Sequence, residues 1–302
     1  MDESTFKIPS RLRLRLAARG SLVKRLSKSW HDHQLGKRKA RHRRDRQGPA
    51  TKLAAYLLGC QRSGTDMCFH LLDRCLDVDA FNEDVGAAFS KCRIKDAGVI
   101  RRIIDVSRAR CVVFKPVCDS HRAIEVLSWH QPSRAVWLYR DYRSVANSSV
   151  AKWGNSNLRH LQHLMAGRGD WGWSQWNREG YPPEAFDEVR VCVDDGLTPH
   201  GAAAVYWYLR NRCYFSQALN QRRDVAIFRY RDLVTEPVER FTRLCHFLGL
   251  TFSEEMASTV HAGSLSKGRD IKLDPRIKKI CDGMLARLDA EVERPGATES
   301  QA

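Results

Sequence analysis

Apolar and polar positions change their rhythm along this chain in a regular way, and that rhythm predicts its elements. From Leu53 the run "LAAYLLG" is almost continuously apolar, the mark of a strand covered on both faces. A helical period follows from about Thr65 to Leu76, and "VDAFNE" predicts a short second strand. In "DAGVIRRIIDVSRA" the residues Val99, Ile103, Ile104 and Val106 recur at helical spacing. The same alternation then repeats. "RCVVFKP" is a strand, "DSHRAIEVLSWH" a helix opened by Asp119 as N-cap, "SRAVWLYR" a strand and "DYRSVANSSVAKW" a helix.

The stretch from Gly154 to Thr198 breaks this rhythm. It is rich in Trp, Gly, Asn and Pro with weak periodicity, which predicts an excursion away from the sheet. Within it "DWGWSQW" brings together Trp171, Trp173 and Trp176. Their indole faces either cover a sugar, aromatic or lipid acceptor or anchor a long loop. Regular alternation resumes with the long helix "PHGAAAVYWYLRNRCYFSQALNQ", the strand "DVAIFRY" and the helix "EPVERFTRLCHFLGL", ended by Gly249. A last helix is expected from Pro275 to Glu293. Strands alternating with helices imply right-handed crossovers, so the fold class is α/β: a mostly parallel sheet flanked by helices on both faces. Ligands of such sheets sit beyond the carboxyl ends of the strands. Gly59, Lys115, Arg140 and Tyr230 all fall at or near such ends, which predicts one site built from four segments.

Charge divides the chain. Of the formal +16 over 302 residues, Met1 to Ala50 hold 15 Lys/Arg against 4 Asp/Glu, a net +11, leaving +5 for the rest. Residues 1–50 therefore read as a basic, flexible arm and residues 51–302 as the folded domain, with a Trp-rich insertion at about 154–198. Blocks such as "RLRLRLAARG" and "GKRKARHRRDRQG" are too polar to build a core. They suit a solvated arm, a contact with anionic membrane or nucleic acid, or a targeting peptide. Arg11, Arg13 and Arg15, alternating with leucines, fit either an edge strand or the start of an amphipathic helix. No run of about eighteen apolar residues exists and no secretory pattern opens the sequence, so a cytoplasmic location is expected, with peripheral membrane contact as a variant. The ten cysteines form no C-x-x-C pair and do not cluster with histidines, which favours reduced core thiols over a metal site. Cys68 and Cys75 are expected to share a buried face.

Candidate chemistry begins at "LGCQRSGTDMCFHLL", a buried strand entering a glycine-bounded loop and then a helix. Gly59 and Gly64 stand at the spacing of the two glycines in G-x-x-x-x-G-K-[ST], but Thr65 replaces the lysine and Asp66 the magnesium-binding hydroxyl. The loop is thus shaped for a phosphate without the groups that handle a nucleoside triphosphate. Amides of Ser63, Gly64 and Thr65 at the helix start favour an anion, and Arg62 adds a donor fork suited to phosphate or sulfate oxygens. Arg140 ends a later strand, with Ser144, Asn147 and Ser148 on neighbouring turns of the next helix.

At these residues the sequence resembles the sulfotransferases. "QRSGTD" is similar to their 5′-phosphosulfate loop, and "YRDYRSVANSSV" to their second signature, R-[DN]-P-[RK]-x-[VA]-x-x-S, with Arg140 and Ser148 at the arginine and serine positions. "FRYRDLVTEPVERFTRLCHFLGL" is similar to a third segment, so the resemblance spans roughly Leu53 to Arg269. It implies a P-loop-like, three-layer fold and the donor 3′-phosphoadenosine 5′-phosphosulfate (PAPS), with 3′,5′-phosphoadenosine (PAP) as product and no metal. It further implies that Gln61, Arg62, Ser63, Gly64, Thr65, Asp66, Arg140, Ser148 and Tyr230 contact the donor. "SLSKGRD" loosely resembles a late segment closing over the 3′-phosphate, adding Ser264, Lys267, Gly268 and Arg269. Asp66 departs from the family pattern and is expected to cap the helix or pair with an arginine. Tyr142 replaces the usual proline and is expected only to loosen the start of its helix.

The acceptor, a hydroxyl or amine on a small molecule or carbohydrate, must lose a proton as it attacks. The family histidine two residues after the strand-end lysine is absent, since Val117 stands there after Lys115. The resemblance offers Glu83 in "DAFNEDVGAAF" as base instead, with His121 as a weaker candidate. Lys115 is expected to place a point charge near the transferring group, and Arg62 to stabilise the leaving phosphate. A P-loop kinase or ATPase is disfavoured because no Lys-Ser/Thr follows Gly64. A non-catalytic basic binding protein, recruiting nucleic acid through residues 10–46, is the competing class. The acceptor and the oligomeric state are not legible.

Overall fold

The computed structural model describes residues 33–44, 50–166, 179–257, 260 and 271–294. The chain divides into two units, Met1–Gln47 and Gly48–Ala302. In the first, residues 33–43 form a helix, α1. Charge alone assigned this segment to a flexible arm, but its Gln, Leu, Lys, Arg and Ala residues are good helix formers and turn it locally regular. Arg11, Arg13 and Arg15 lie outside the described residues.

The second unit is built on a sheet of strands β1 (Leu53–Gly59), β2 (Val78–Phe81), β5 (Cys111–Phe114), β6 (Ser133–Tyr139) and β7 (Val225–Arg229), in the order β2-β5-β1-β6-β7. Every pairing is parallel, from Leu53 opposite Cys111 on one side of β1 to Gly59 opposite Leu138 on the other. The central position of β1 makes its carboxyl end the point where the chain switches direction across the sheet.

Period-two alternation along the strands feeds two separate cores. Ala54, Tyr56, Leu58, Phe114, Trp137 and Tyr139 face one layer; Ala55, Leu57, Val113, Val136, Leu138 and Phe228 face the other. The first layer is covered by α3 (Ala97–Val106), α4 (Ala123–Ser128), α5 (Tyr142–Trp153), α8 (Pro199–Ser216) and α12 (Pro275–Glu293). The second is covered by α2 (Thr65–Asp73), α9 (Tyr230–Thr235), α10 (Pro237–Phe247) and α11 (Glu254–Ala257). Cys68 is fully buried in this second core and Cys75 packs partly buried against it.

Two local expectations need correction, those at Asp119 and Tyr142, and the region 154–198 gains detail. Asp119 does not cap a helix: it is fully buried, accepts a hydrogen bond from the Ile94 amide at 2.8 Å and pairs with Arg93 at 2.5 Å. It thereby ties the hairpin β3 (Phe89–Ser90) and β4 (Arg93–Ile94), which the sequence did not suggest, to a tight 3₁₀ segment at Val117–Arg122. The region 154–198 contains two helices, α6 (Ser156–Met165) and α7 (Pro183–Arg190), whose apolar stripes were diluted by the polar residues around them. The tryptophans between these helices lie outside the described residues. Tyr142 does not loosen α5. Its ring is fully buried and its hydroxyl donates to Asp282 at 2.8 Å, while Asp141 caps the helix by accepting from the Arg143 and Ser144 amides.

Candidate active site

The site forms where the carboxyl ends of the five parallel strands meet. β1 ends at Gly59, whose φ of 129° lets the chain leave the sheet; a Cβ there would sit 2.1 Å from the Leu138 carbonyl oxygen. Ser120 secures this exit by accepting from the Gly59 amide at 3.0 Å. The loop then turns through Arg62 and Gly64, with φ of 68° and 93°. A left-handed arginine costs about 1 kcal/mol relative to an ordinary conformation, and glycine escapes that cost. Gly64 is also the N-cap of α2, where no side chain caps the free amides. A Cβ on Gly64 would lie 2.2 Å from the Tyr230 ring, so only glycine lets β7's successor lie against the loop this closely.

Arg62 reaches across to α5, where its Nε donates to Ser148 Oγ at 3.0 Å, and its guanidinium lies 5.8 Å from the Trp153 ring. Arg140, the first residue beyond β6, stacks its guanidinium 4.5 Å above the Tyr230 ring, and its carbonyl is held by Trp207 Nε1 at 2.8 Å. Both arginines line one cavity of about 440 Å³ together with Gly64, Thr65, Asp66, Ser144, Ser148 and Tyr230. Burial and the nearby Arg62 charge push the Arg140 guanidinium below its ordinary value, although the Tyr230 oxygen opposes them. Two cations facing one hollow over uncapped amides make a cradle for an anion. Ser63 adds a buried hydroxyl with no hydrogen-bond partner in the same loop. This donor-rich, cationic chemistry fits a ligand that carries phosphate or sulfate groups.

Beside the cradle stands a second cluster. Lys115, the first residue beyond β5, is 7% exposed; its Nζ bonds Asp66 Oδ1 at 2.6 Å and Glu83 Oε2 at 3.3 Å. Burial lowers the lysine, but the two carboxylates outweigh it and hold the ammonium above its ordinary value. Burial would raise Asp66, and Lys115 with Arg62 and His70 reverses this, leaving the carboxyl below its usual range. Asp66 thus pairs with a lysine, neither capping α2 nor meeting an arginine in an ion pair. Glu83 Oε1 accepts from the Cys118 amide at 3.1 Å, so with Lys115 on Oε2 both of its oxygens are oriented.

His121 lies elsewhere. It lines a different hollow, of about 500 Å³, with Arg122, Glu125, Glu179 and Gln217. Burial, then the charges of Arg210, Arg93 and Arg122, lower the imidazole to about 3. Gln61 points its amide at Cys118 Sγ, 3.7 Å away, and does not line the cradle. Ser264, Lys267, Gly268 and Arg269 lie outside the described residues. Sequence reasoning did not single out Met67, Ala151 and Trp153; Ser144, Ser148 and Ala151 fall four and three apart, the spacing of one helix face, and that spacing was the available signal.

A family model described as "Sulfotransferase domain" matches residues 54–273. The solved sulfotransferase domain of the Synechococcus PCC 7002 olefin synthase is 14% identical, covering 79% of this chain and 98% of that one at a TM-score of 0.44. A sulfotransferase from Alicyclobacillus acidocaldarius is also 14% identical, covering 80% and 95% at 0.44. A mouse sulfotransferase complexed with PAP is 11% identical, covering 82% and 76% at 0.35. No curated protein matches the chain by sequence. The domain match takes in the glycine loop, Arg140 with α5, and the segment around Tyr230, and by it the chain belongs to the sulfotransferase domain family.

Proposed function

We propose that the protein moves a sulfuryl group from PAPS to a hydroxyl or amine of a small-molecule or carbohydrate acceptor. The observation that carries this reading is the joint lining of one cavity by Arg62, from the loop after β1, and Arg140, from the end of β6, with Ser148 fixing the first of them. The loop amides, Ser63 and Arg62 would hold the 5′ end of the donor, and Arg140 and Ser148 its 3′-phosphate. The donor supplies an activated sulfuryl group whose departure leaves negative charge on a phosphate oxygen. Arg62 stands at the loop where that charge develops, in a partly dry site where a fixed guanidinium acts strongly. Glu83 accepts the proton from the acceptor, its carboxylate aimed by Lys115 and the Cys118 amide. Lys115 keeps its proton beside two carboxylates and so remains a cation toward the transferring group.

The test has two arms. PAP should raise the melting temperature of the protein while Mg-ATP leaves it unchanged, and labelled PAPS should pass its sulfur to a compound in an acceptor panel. Equal stabilisation by Mg-ATP, or a melting temperature indifferent to PAP, would count against the donor assignment.

A further inference from the structure

A strained turn sets two thiols together beside the proposed base. Strands β3 and β4 are joined by Lys91 and Cys92 alone, with Ser90 opposite Arg93 in the register. Both turn residues are left-handed, at φ of 48° and 66°. Such a turn ordinarily takes Asn-Gly, because other side chains crowd the backbone there, and strain of this kind gathers at functional sites. Asp119 keeps the hairpin in this form, bonding the Ile94 amide at 2.8 Å and pairing with Arg93 at 2.5 Å. That double contact lays the turn against the 3₁₀ segment. It brings Cys92, which precedes Arg93, to Cys118, which precedes Asp119, and the two thiols share a hydrogen bond.

The pair is chemically unequal. Cys118 is 6% exposed, and its sulfur accepts from Gln61 Nε2 at 3.7 Å. Its hydrogen bond to Cys92, and then burial, push its thiol upward. Cys92 is half-buried, with exposed Lys91 before it and Arg93 after it. The Cys118 hydrogen bond draws the Cys92 thiol down to about 7, against burial and the Glu83 and Asp84 charges. A thiolate therefore forms on the accessible member while the buried one keeps its proton, as in an attacking and a resolving cysteine. Of the remaining cysteines only Cys75 is not buried. The chemistry proposed above uses neither thiol, yet the Cys118 amide is the group that orients Glu83 Oε1 at 3.1 Å.

We propose that Cys92 and Cys118 are a redox-modification site that takes an anionic low-molecular-weight disulfide and closes into an intrachain bond. The Cys92 thiolate attacks one sulfur of the small disulfide, RSSR, breaking its S–S bond and releasing RS⁻. That RS⁻ takes the Cys118 proton, and the Cys118 sulfur then attacks Cys92 Sγ, forming the protein disulfide and expelling a second RS⁻. The second RS⁻ takes up the proton that Cys92 lost on ionising. The protein is oxidised by two electrons and RSSR is reduced to two RSH. Lys91 and Arg93 favour an anionic disulfide as the oxidant. Bond formation draws the sulfurs to about 2.05 Å and pulls the Cys118 backbone toward the hairpin, away from Glu83. Transfer slows while the cradle is untouched, and this consequence alone rests on the sulfotransferase reading.

The whole reduced protein is exposed to oxidised glutathione, its remaining thiols are alkylated, and its peptides are weighed. A peptide pair joined through Cys92 and Cys118, lighter by two hydrogens and separated again by dithiothreitol, is expected. Cys118→Ser should stop at a stable glutathione adduct on Cys92, and Cys92→Ser should give neither link nor adduct at Cys118. Transfer from labelled PAPS should fall by about tenfold or more on oxidation, the scale of a displaced general base. It should recover with dithiothreitol and stay level in Cys92→Ser, with PAP affinity unchanged throughout. No link after prolonged exposure, or modification of Cys75 ahead of Cys92, overturns the site. A complete link with undiminished transfer overturns its hold on Glu83. Absence of transfer in the reduced protein would instead strike the sulfotransferase reading, and the peptide masses then decide the site by themselves.

Discussion

Arg62 donates from Nε to Ser148 Oγ at 3.0 Å, joining the glycine loop to a helix 86 residues further along the chain. This bond fixes a long side chain that enters the cavity from a strained backbone position, so the guanidinium is positioned before any ligand arrives. Arg62→Ala is expected to lower kcat by about a hundredfold, the scale of a lost partner for transition-state charge. Ser148→Ala leaves the charge in place and frees its direction. Its expected effect is a PAP affinity weaker by about tenfold with a smaller loss in kcat, as befits one charge-assisted hydrogen bond. Calorimetric titration with PAP and steady-state kinetics separate the two.

Glu83→Gln should reduce transfer by about a hundred- to ten-thousandfold while PAP affinity stays within about twofold, the range of a lost general base. Glutamine can still accept from the Cys118 amide and so keeps the local fold. Retained turnover would place the base elsewhere. His121 is a poor substitute, because it lines a separate hollow and stays neutral to about pH 3.

Much of this site was legible because its parts are local. The strand-loop-glycine-helix order around Gly64, and Arg140 followed by a serine one face down a helix, are patterns that fixed spacing imposes. The strands were legible too, since a parallel sheet covered on both faces needs continuous apolar runs such as Leu53 to Leu58. What stayed hidden depends on contacts between distant segments. Asp119 looks like a helix cap until its carboxylate is seen holding Ile94 and Arg93. Tyr142 looks like a lost proline until its hydroxyl is seen on Asp282. Arg210 sits in an apolar helix pattern that gives no hint of where its charge points.

Gly64→Ala tests the closeness of the loop to Tyr230. Alanine there adopts a left-handed φ and drives a methyl group into the ring, so stability should fall by at least about 1 kcal/mol in urea unfolding. PAP binding should weaken more than stability alone explains, since the same shift displaces the ring on which Arg140 stacks.

Acid should destabilise the protein through His121. Burial and three neighbouring arginines hold its folded-state value near 3, whereas the unfolded chain takes up the proton near 6.5. Between those values the unfolded state binds more protons, so stability is fully present above about pH 6.5 and is lost as pH falls toward 3. Melting temperatures measured across this window should drop with acid, and His121→Asn should flatten the slope. An unchanged slope would mean that the imidazole is less enclosed than its contacts indicate.

Asp66 gives the sharpest test of how charge is balanced around the cradle. It replaces a hydroxyl in the family pattern, and its negative charge lines a cavity that receives a highly anionic donor. Asp66→Asn keeps an oxygen to accept from Lys115, which also retains Glu83 as its partner. Removing the repulsion should therefore tighten PAP binding about three- to tenfold at low salt, with the gain shrinking as ionic strength rises, because half-exposed charges are screened. The melting temperature should fall slightly in the same variant, since an acid in the first turn of α2 favours the helix. Tighter binding in a less stable protein is a combination that generic damage to the fold does not produce. Weaker PAP binding would show instead that the aspartate earns its place by holding Lys115 away from the donor phosphates.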